Sequence, residues 1–145
     1  MRAMPPTQIE QLLSALKTWS GKCQGVQALA LVGSWAAGRD HAEADVDIVC
    51  VVDDPDRFRA DSTWMGEIDW PSAGLAVGRW TDVDYGQARS RHLAFGDGEE
   101  VEMSFVDAGW AAVDPVDQGT RRVAAEGMRV LHDPNGILGR LLVAL

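Results

Sequence analysis

Cysteine is scarce in this chain, with two among 145 residues. Cys50 falls inside an apolar run, which argues against a disulfide framework and for a reducing, cytoplasmic setting. Basic residues are in deficit as well, 13 lysines and arginines against 22 aspartates and glutamates, for a formal net charge of −9. That balance argues against a protein that grips many phosphates along DNA or RNA, so no extended nucleic acid is expected as a partner. Small or cationic partners fit it better, although acidity also serves solubility alone. Long apolar runs are missing: Val26–Val32 and Val46–Val52 have the length of strands and fall far short of the roughly 20 residues of a membrane span. No membrane association is expected, and the opening residues MRAMPPTQIEQ hold no apolar signal core. Repeats, low-complexity tracts, interdomain linkers and zinc-type clusters of His, Cys and Glu are also lacking. What remains is an ordinary soluble composition, 46% hydrophobic and 24% charged, and a length that fits one domain over residues 1–145.

The pattern along the chain is α/β. Thr7 and Glu10 form a capping-box pair, and Ile9, Leu12, Leu13, Leu16 and Trp19 follow at helical spacing as far as Gly21. Val26–Val32 reads as a strand entering Gly33-Ser34, and a polar loop over 39–44 leads to a second strand, Val46–Val52. A helix is predicted over 57–65, then a strand near 75–80. Residues 87–95 and 99–106 flank Gly96-Asp97-Gly98 as a hairpin. Asp114-Pro115 opens a helix toward Glu126-Gly127, 128–131 reads as a short strand, and Asp133-Pro134 caps a last helix.

Against this pattern, Asp45 and Asp47 stand out. They sit two apart at the mouth of a strand, so both carboxylates face one side, with Cβ atoms roughly 6.6 Å apart. Such anions need water, a basic partner or a cation. Gly33-Ser34, directly after the preceding strand, offers a tight turn with free N–H groups and a hydroxyl where a phosphate fits. A cation on the two aspartates could bridge to that phosphate, and hard oxygen ligands with open positions suit Mg²⁺. A Walker-type loop is excluded because Arg39 and Asp40 stand where Lys and Ser/Thr are required, and Ile48-Val49-Cys50 excludes a calcium loop. A solvated strand end is the plain alternative.

A third acid strengthens the metal reading. Val101-Glu102-Met103 repeats the apolar–acid–apolar pattern of Val46-Asp47-Ile48, and a neighbouring strand would bring Glu102 to the same face. Glu100 shares that face and is its rival. Arg39 could approach a triphosphate; His41, Arg89, Arg91 and His92 read more simply as solvated loop or hairpin residues. Trp35, inside the turn, is placed to screen a bound nucleotide or to pack as core.

Taken together, Gly33-Ser34, Gly38, Asp45-Val46-Asp47 and Val101-Glu102-Met103 resemble the signature of the DNA polymerase β-type nucleotidyltransferase superfamily, especially its small bacterial members and the aminoglycoside nucleotidyltransferases. The resemblance runs from about Val26 to the end. It implies a mixed β-sheet flanked by helices (α/β, α+β) and an Mg²⁺-dependent enzyme. That enzyme would transfer a nucleoside monophosphate from a nucleoside triphosphate to an acceptor hydroxyl of a small molecule or protein. By resemblance, two Mg²⁺ ions, or Mn²⁺ in their place, are held by Asp45 and Asp47. Glu102 is a third ligand or a base, Gly33 and Ser34 meet phosphate, and Arg39 is a further candidate for nucleotide contact. Ala44 and Ala37 depart from the pattern, standing where a serine and, in antitoxin-type members, an arginine are common. An acceptor pocket then has to come from this domain, a second copy in a homodimer, or another protein. Two other readings stay open: an antitoxin-like regulatory partner of a helical toxin protein, and a catalytically silent nucleotide-binding module. If the turn binds the triphosphate, Gly33→Val should hinder it far more than Ser34→Ala, with free-metal binding left nearly unchanged.

Overall fold

The computed structural model describes residues 4–38 and 45–145. The predicted first helix is present as α1 (Pro6–Lys22), but it has no side-chain cap. Pro5 is extended, and Pro6 occupies the first turn, where its missing N–H costs nothing. The capping box is therefore not formed. Thr7 lies inside the helix, and Glu10 instead pairs with Arg129 at 2.8 and 3.0 Å.

Six strands follow: β1 (Val26–Val32), β2 (Val46–Val52), β3 (Val77–Tyr85), β4 (Ala88–Phe95), β5 (Glu100–Val106) and β6 (Met128–His132). They form one mixed sheet in the order β3-β4-β5-β2-β1-β6. Only β2 and β5 run parallel; the remaining pairs are antiparallel. Helices flank the sheet, as expected.

The two faces are covered unequally. On one, Ile48, Cys50, Met103 and Phe105 pack against α1 residues Leu12, Leu16 and Trp19 and against Phe58 and Trp64. On the other, Ala28, Ala30, Val49 and Val51 meet Trp110 and the buried Leu138 and Leu141 of the last helix, α5 (Ile137–Ala144). On that face a cavity remains beside Asp47 of β2 and Glu102 and Ser104 of β5. Leu16 is fully buried. Leu16→Ala is therefore expected to cost about 2–5 kcal/mol, read from chemical denaturation.

Several boundaries differ from the expectations. The helix predicted over 57–65 is two helices, α2 (Pro55–Ala60) and α3 (Thr63–Glu67). The break falls where the Asp61 carboxylate accepts from Thr63 N at 3.0 Å, a local bond that competes with helical pairing. The strand expected near 75–80 extends to Tyr85 and turns through Gly86 into β4. Its charged residues disguised it, yet Asp82 pairs with Arg91 and Arg59 across the sheet and α2. The helix expected from Asp114-Pro115 starts instead at α4 (Gln118–Glu126), where the Asp117 carboxylate accepts from Thr120 N. The Asp133 carboxylate does accept from Leu138 N and Gly139 N, although Gly136 holds the cap position of α5. Among the described residues, no helix is long and apolar enough to cross a membrane.

Candidate functional site

Sheet register decides which acids meet. Val32, the last residue of β1, pairs with Asp47 on β2, and Asp47 pairs with Glu102 on the parallel neighbour β5. Glu102 in turn pairs with His92 on β4. Directly paired residues share a face, so Asp47, Glu102 and His92 form one row across three strands. One step toward the strand starts lie Asp45 and Glu100. His92 Nε2 stands 3.4 Å from Asp45 Oδ2 and 3.9 Å from Glu100 Oε2.

The electrostatics follow from this crowding. Burial, with the Glu102 and Asp45 carboxylates beside it and His92 opposing, pushes the Asp47 carboxyl up to about 7. Burial and Glu100 raise Asp45 against the pull of His92. Burial also raises Glu102, with His92 opposing and Asp45 adding to the rise. Among the described residues, the ion pairs made by Asp45 and Glu100 are to His92, not to lysine or arginine. Asp45 Oδ1 is removed from solvent and, among the described residues, has no hydrogen-bond partner. A half-buried group of carboxylates with an orphaned oxygen and hard donors fits a divalent cation such as Mg²⁺.

Gly33 sits against this row. Its φ is +78°, and a Cβ there would lie 2.8 Å from Asp47 Oδ2. Glycine is thus required twice, by backbone conformation and by the carboxylate that occupies the side-chain space. The turn continues as a single helical loop, with Ala37 N donating to Gly33 O at 3.1 Å and Gly38 N to Trp35 O at 3.3 Å. Trp35 packs against the core cluster. The neighbourhood of position 37 is closed by Gly127, where a Cβ would lie 2.8 Å from Ala37 N.

The contact with Asp47 changes one expectation. Gly33→Val should disturb the Asp47 carboxylate directly, so metal binding and triphosphate binding should fall together. Ser34→Ala, which removes one hydroxyl, should weaken triphosphate binding by only about 1–2 kcal/mol. Calorimetric titration with Mg²⁺ and a non-hydrolysable triphosphate, run beside a melting curve, measures both.

A cavity of about 440 Å³ opens on this face, with Gly33, Asp47, Glu102, Ser104, Tyr85 and Trp110 among its walls. The larger hollow, about 810 Å³, lies between α1 and the α2–α3 segment and contains none of these acids. The smaller one holds Asp47 and Glu102.

The chain matches the nucleotidyltransferase domain family over residues 9–95. It belongs to that family. The matched stretch contains the Gly33-Ser34 turn, Asp45 and Asp47 and stops short of β5, so Glu102 lies outside it and meets Asp47 through sheet register. The fold is that of the polymerase β-type nucleotidyltransferases. An aminoglycoside 6-adenyltransferase from Bacillus subtilis superposes with a TM-score of 0.52 at 14% identity, over 74% of this chain and 37% of that one. A cytoplasmic RNA terminal U-transferase gives 0.45 at 14% identity, over 72% of this chain and 31% of that one. The Cid1 poly(U) polymerase gives 0.46 at 13%, over 72% and 32%. The chain therefore spans about a third of the length of those structures. No curated protein sequence matches it.

Asp45, Asp47, Glu102 and Gly33 are thus brought together, with Ser34 in the adjoining turn. Arg39, His41 and Ala44 lie outside the described residues. The member that sequence reasoning undervalued is His92. The hairpin pattern groups it with Arg91 on a wet face, but the two side chains go to opposite sides of β4. Arg91 is buried, donating to Asp82 at 2.7 and 3.0 Å and to Ser62 Oγ at 2.7 Å, while His92 faces the acids. Residue alternation within β4 implied that split; which side faced the acids was not legible locally.

Proposed function

We propose that this protein is a metal-dependent nucleotidyltransferase. It takes a nucleoside triphosphate and transfers the nucleoside monophosphate to an acceptor hydroxyl of a small molecule or protein. The observation that carries this reading is the in-register pair Asp47–Glu102 on parallel strands, with Asp45 beside it and Gly33 packed onto the Asp47 carboxylate. Asp45 and Asp47 would hold Mg²⁺, two ions with Glu102 as a third ligand, and Mn²⁺ could substitute. When bound, the ions would neutralise charge on the triphosphate and lower the pKa of the acceptor hydroxyl.

The chain's own groups do the remaining work. The turn at Gly33 and Ser34 holds phosphate oxygens, and Arg39 is a further phosphate contact. Glu102, raised by burial, is placed to take the acceptor proton when it is not a ligand. The acceptor oxygen bonds to the α-phosphorus, the α–β bridging bond breaks, and pyrophosphate leaves with its electron pair. The 440 Å³ cavity beside Asp47 and Glu102 is of a size for a small ligand or the reacting end of a larger one. Residues 1–145 form one such domain, working in the cytoplasm, with a homodimer or a helical protein as the partner classes to test. The antitoxin-like and silent-module readings gain no support from this geometry.

The test is a panel of α-labelled nucleoside triphosphates with Mg²⁺ against aminoglycosides and candidate protein acceptors. Label should appear on an acceptor with one pyrophosphate released per transfer, and chelation of the metal should stop it. Triphosphate breakdown to diphosphate without acceptor labelling would overturn the reading.

A further inference from the structure

Beside the Asp47–Glu102 row lies a second constellation of different chemistry. One potential ligand atom each from Asp45, His92 and Glu100 lies within 4.8 Å of the others. The two measured edges, 3.4 and 3.9 Å, compare with the edge of about 3.4 Å expected for tetrahedral ligands held about 2.1 Å from one ion. Both Asp45 Oδ1 and His92 Nε2 are shielded from solvent and, among the described residues, lack a hydrogen-bond partner. His92 and Glu100 are held on the paired strands β4 and β5, and Asp45 immediately precedes β2. Two carboxylates and an imidazole differ from the all-oxygen set of Asp45, Asp47 and Glu102. Imidazole nitrogen suits Zn²⁺ and neighbouring transition metals, whereas Mg²⁺ takes oxygen.

We propose that Asp45, His92 and Glu100 form a separate binding site for a transition-metal dication of the Zn²⁺ class. Asp45 belongs to both constellations, so an ion on His92 and Glu100 engages a carboxylate that the Asp47–Glu102 site also needs. Zn²⁺ therefore acts as an inhibitor that competes with Mg²⁺ for one carboxylate. That consequence rests on the function proposed above; the site itself does not.

Co²⁺ tests the site without any turnover assay, because its visible absorption reports nitrogen and oxygen ligation directly. The purified protein should bind one Co²⁺ with a visible band that Zn²⁺ displaces and millimolar-range Mg²⁺, a concentration chosen because Mg²⁺ disfavours nitrogen ligands, does not. His92→Ala should weaken Co²⁺ binding by about a hundredfold or more, the size expected from losing the nitrogen ligand, while Glu102→Gln should retain the band. Glu100→Gln gives an independent reading if His92→Ala fails to fold, and it too should weaken the site. No band in the parent protein, a band unchanged in both the His92 and Glu100 variants, or a band lost only in Glu102→Gln would each overturn the proposal. In the last case the ion would be sitting at the Asp47–Glu102 pair. If the Co²⁺ site is present and no acceptor is ever labelled, the proposed reaction fails and the site stands.

Discussion

Asp47→Asn should yield a folded protein with transfer reduced at least about a thousandfold, and with a higher melting temperature in the absence of metal. The loss follows from removing a ligand whose contribution to neutralising transition-state charge is several kcal/mol, each 1.36 kcal/mol being a factor of ten. The gain in stability follows from the crowding around the wild-type carboxylate. Asp47 titrates at about 7 in the folded protein, against an ordinary value of 3.8. Between those values the folded chain keeps a proton that the unfolded chain has released, so rising pH favours unfolding. The favourable contribution of this group is complete below 3.8 and gone above about 7. Asn cannot ionise, so the variant should lack this part of the decline, and the gap between the two proteins should widen from acid to neutral pH and then level off. Asp45 and Glu102 are raised in the same direction, so a residual slope remains in the variant. Melting curves without divalent metal across this range measure the difference. Mg²⁺ with triphosphate should stabilise the parent protein and not the variant, because only a ligand selective for the native state shifts the transition. Equal stabilisation of both would remove Asp47 from the site.

Glu102→Gln should lower turnover by about a hundredfold or more, while Glu100→Gln in Mg²⁺ should be mild. The distinction rests on register. Glu102 is opposite Asp47 on the parallel strand and lines the 440 Å³ cavity, whereas Glu100 lies a step earlier, beside His92 and Asp45. If Glu102 serves as the base, its Gln variant should lose the low-pH limb of the turnover profile; if it serves only as a ligand, raised Mg²⁺ should recover part of the rate. Equal losses from Glu100 and Glu102 would mean that the acceptor approaches from the Asp45 end of the row.

Much of this site is written in short stretches of chain. Asp45 and Asp47 share a face because any strand alternates, and Glu102 shares an alternation with Glu100 for the same reason. Gly33-Ser34 was recognisable as a turn at a strand end. The elements that failed to show themselves were those whose local signals conflict. Asp82 and Asp84 hid the far half of β3, because their charges pair with Arg91 on β4 and Arg59 on α2. Asp61 split a helix that the surrounding residues would have continued.

The sequence by itself determined the strands, the turn, and which side chains along each strand travel together, because those properties depend on neighbours a few residues away. It did not determine that Asp47 meets Glu102, that His92 rather than Arg91 turns toward the acids, or that Gly33 must be bare to admit the Asp47 carboxylate. Those are cross-strand relations, and a slip of one residue in pairing would send every side chain of a strand to the other face. Register is set by packing of the whole sheet, with Ile48, Met103 and Phe105 buried under α1 and α2, and so only the tertiary structure could decide them.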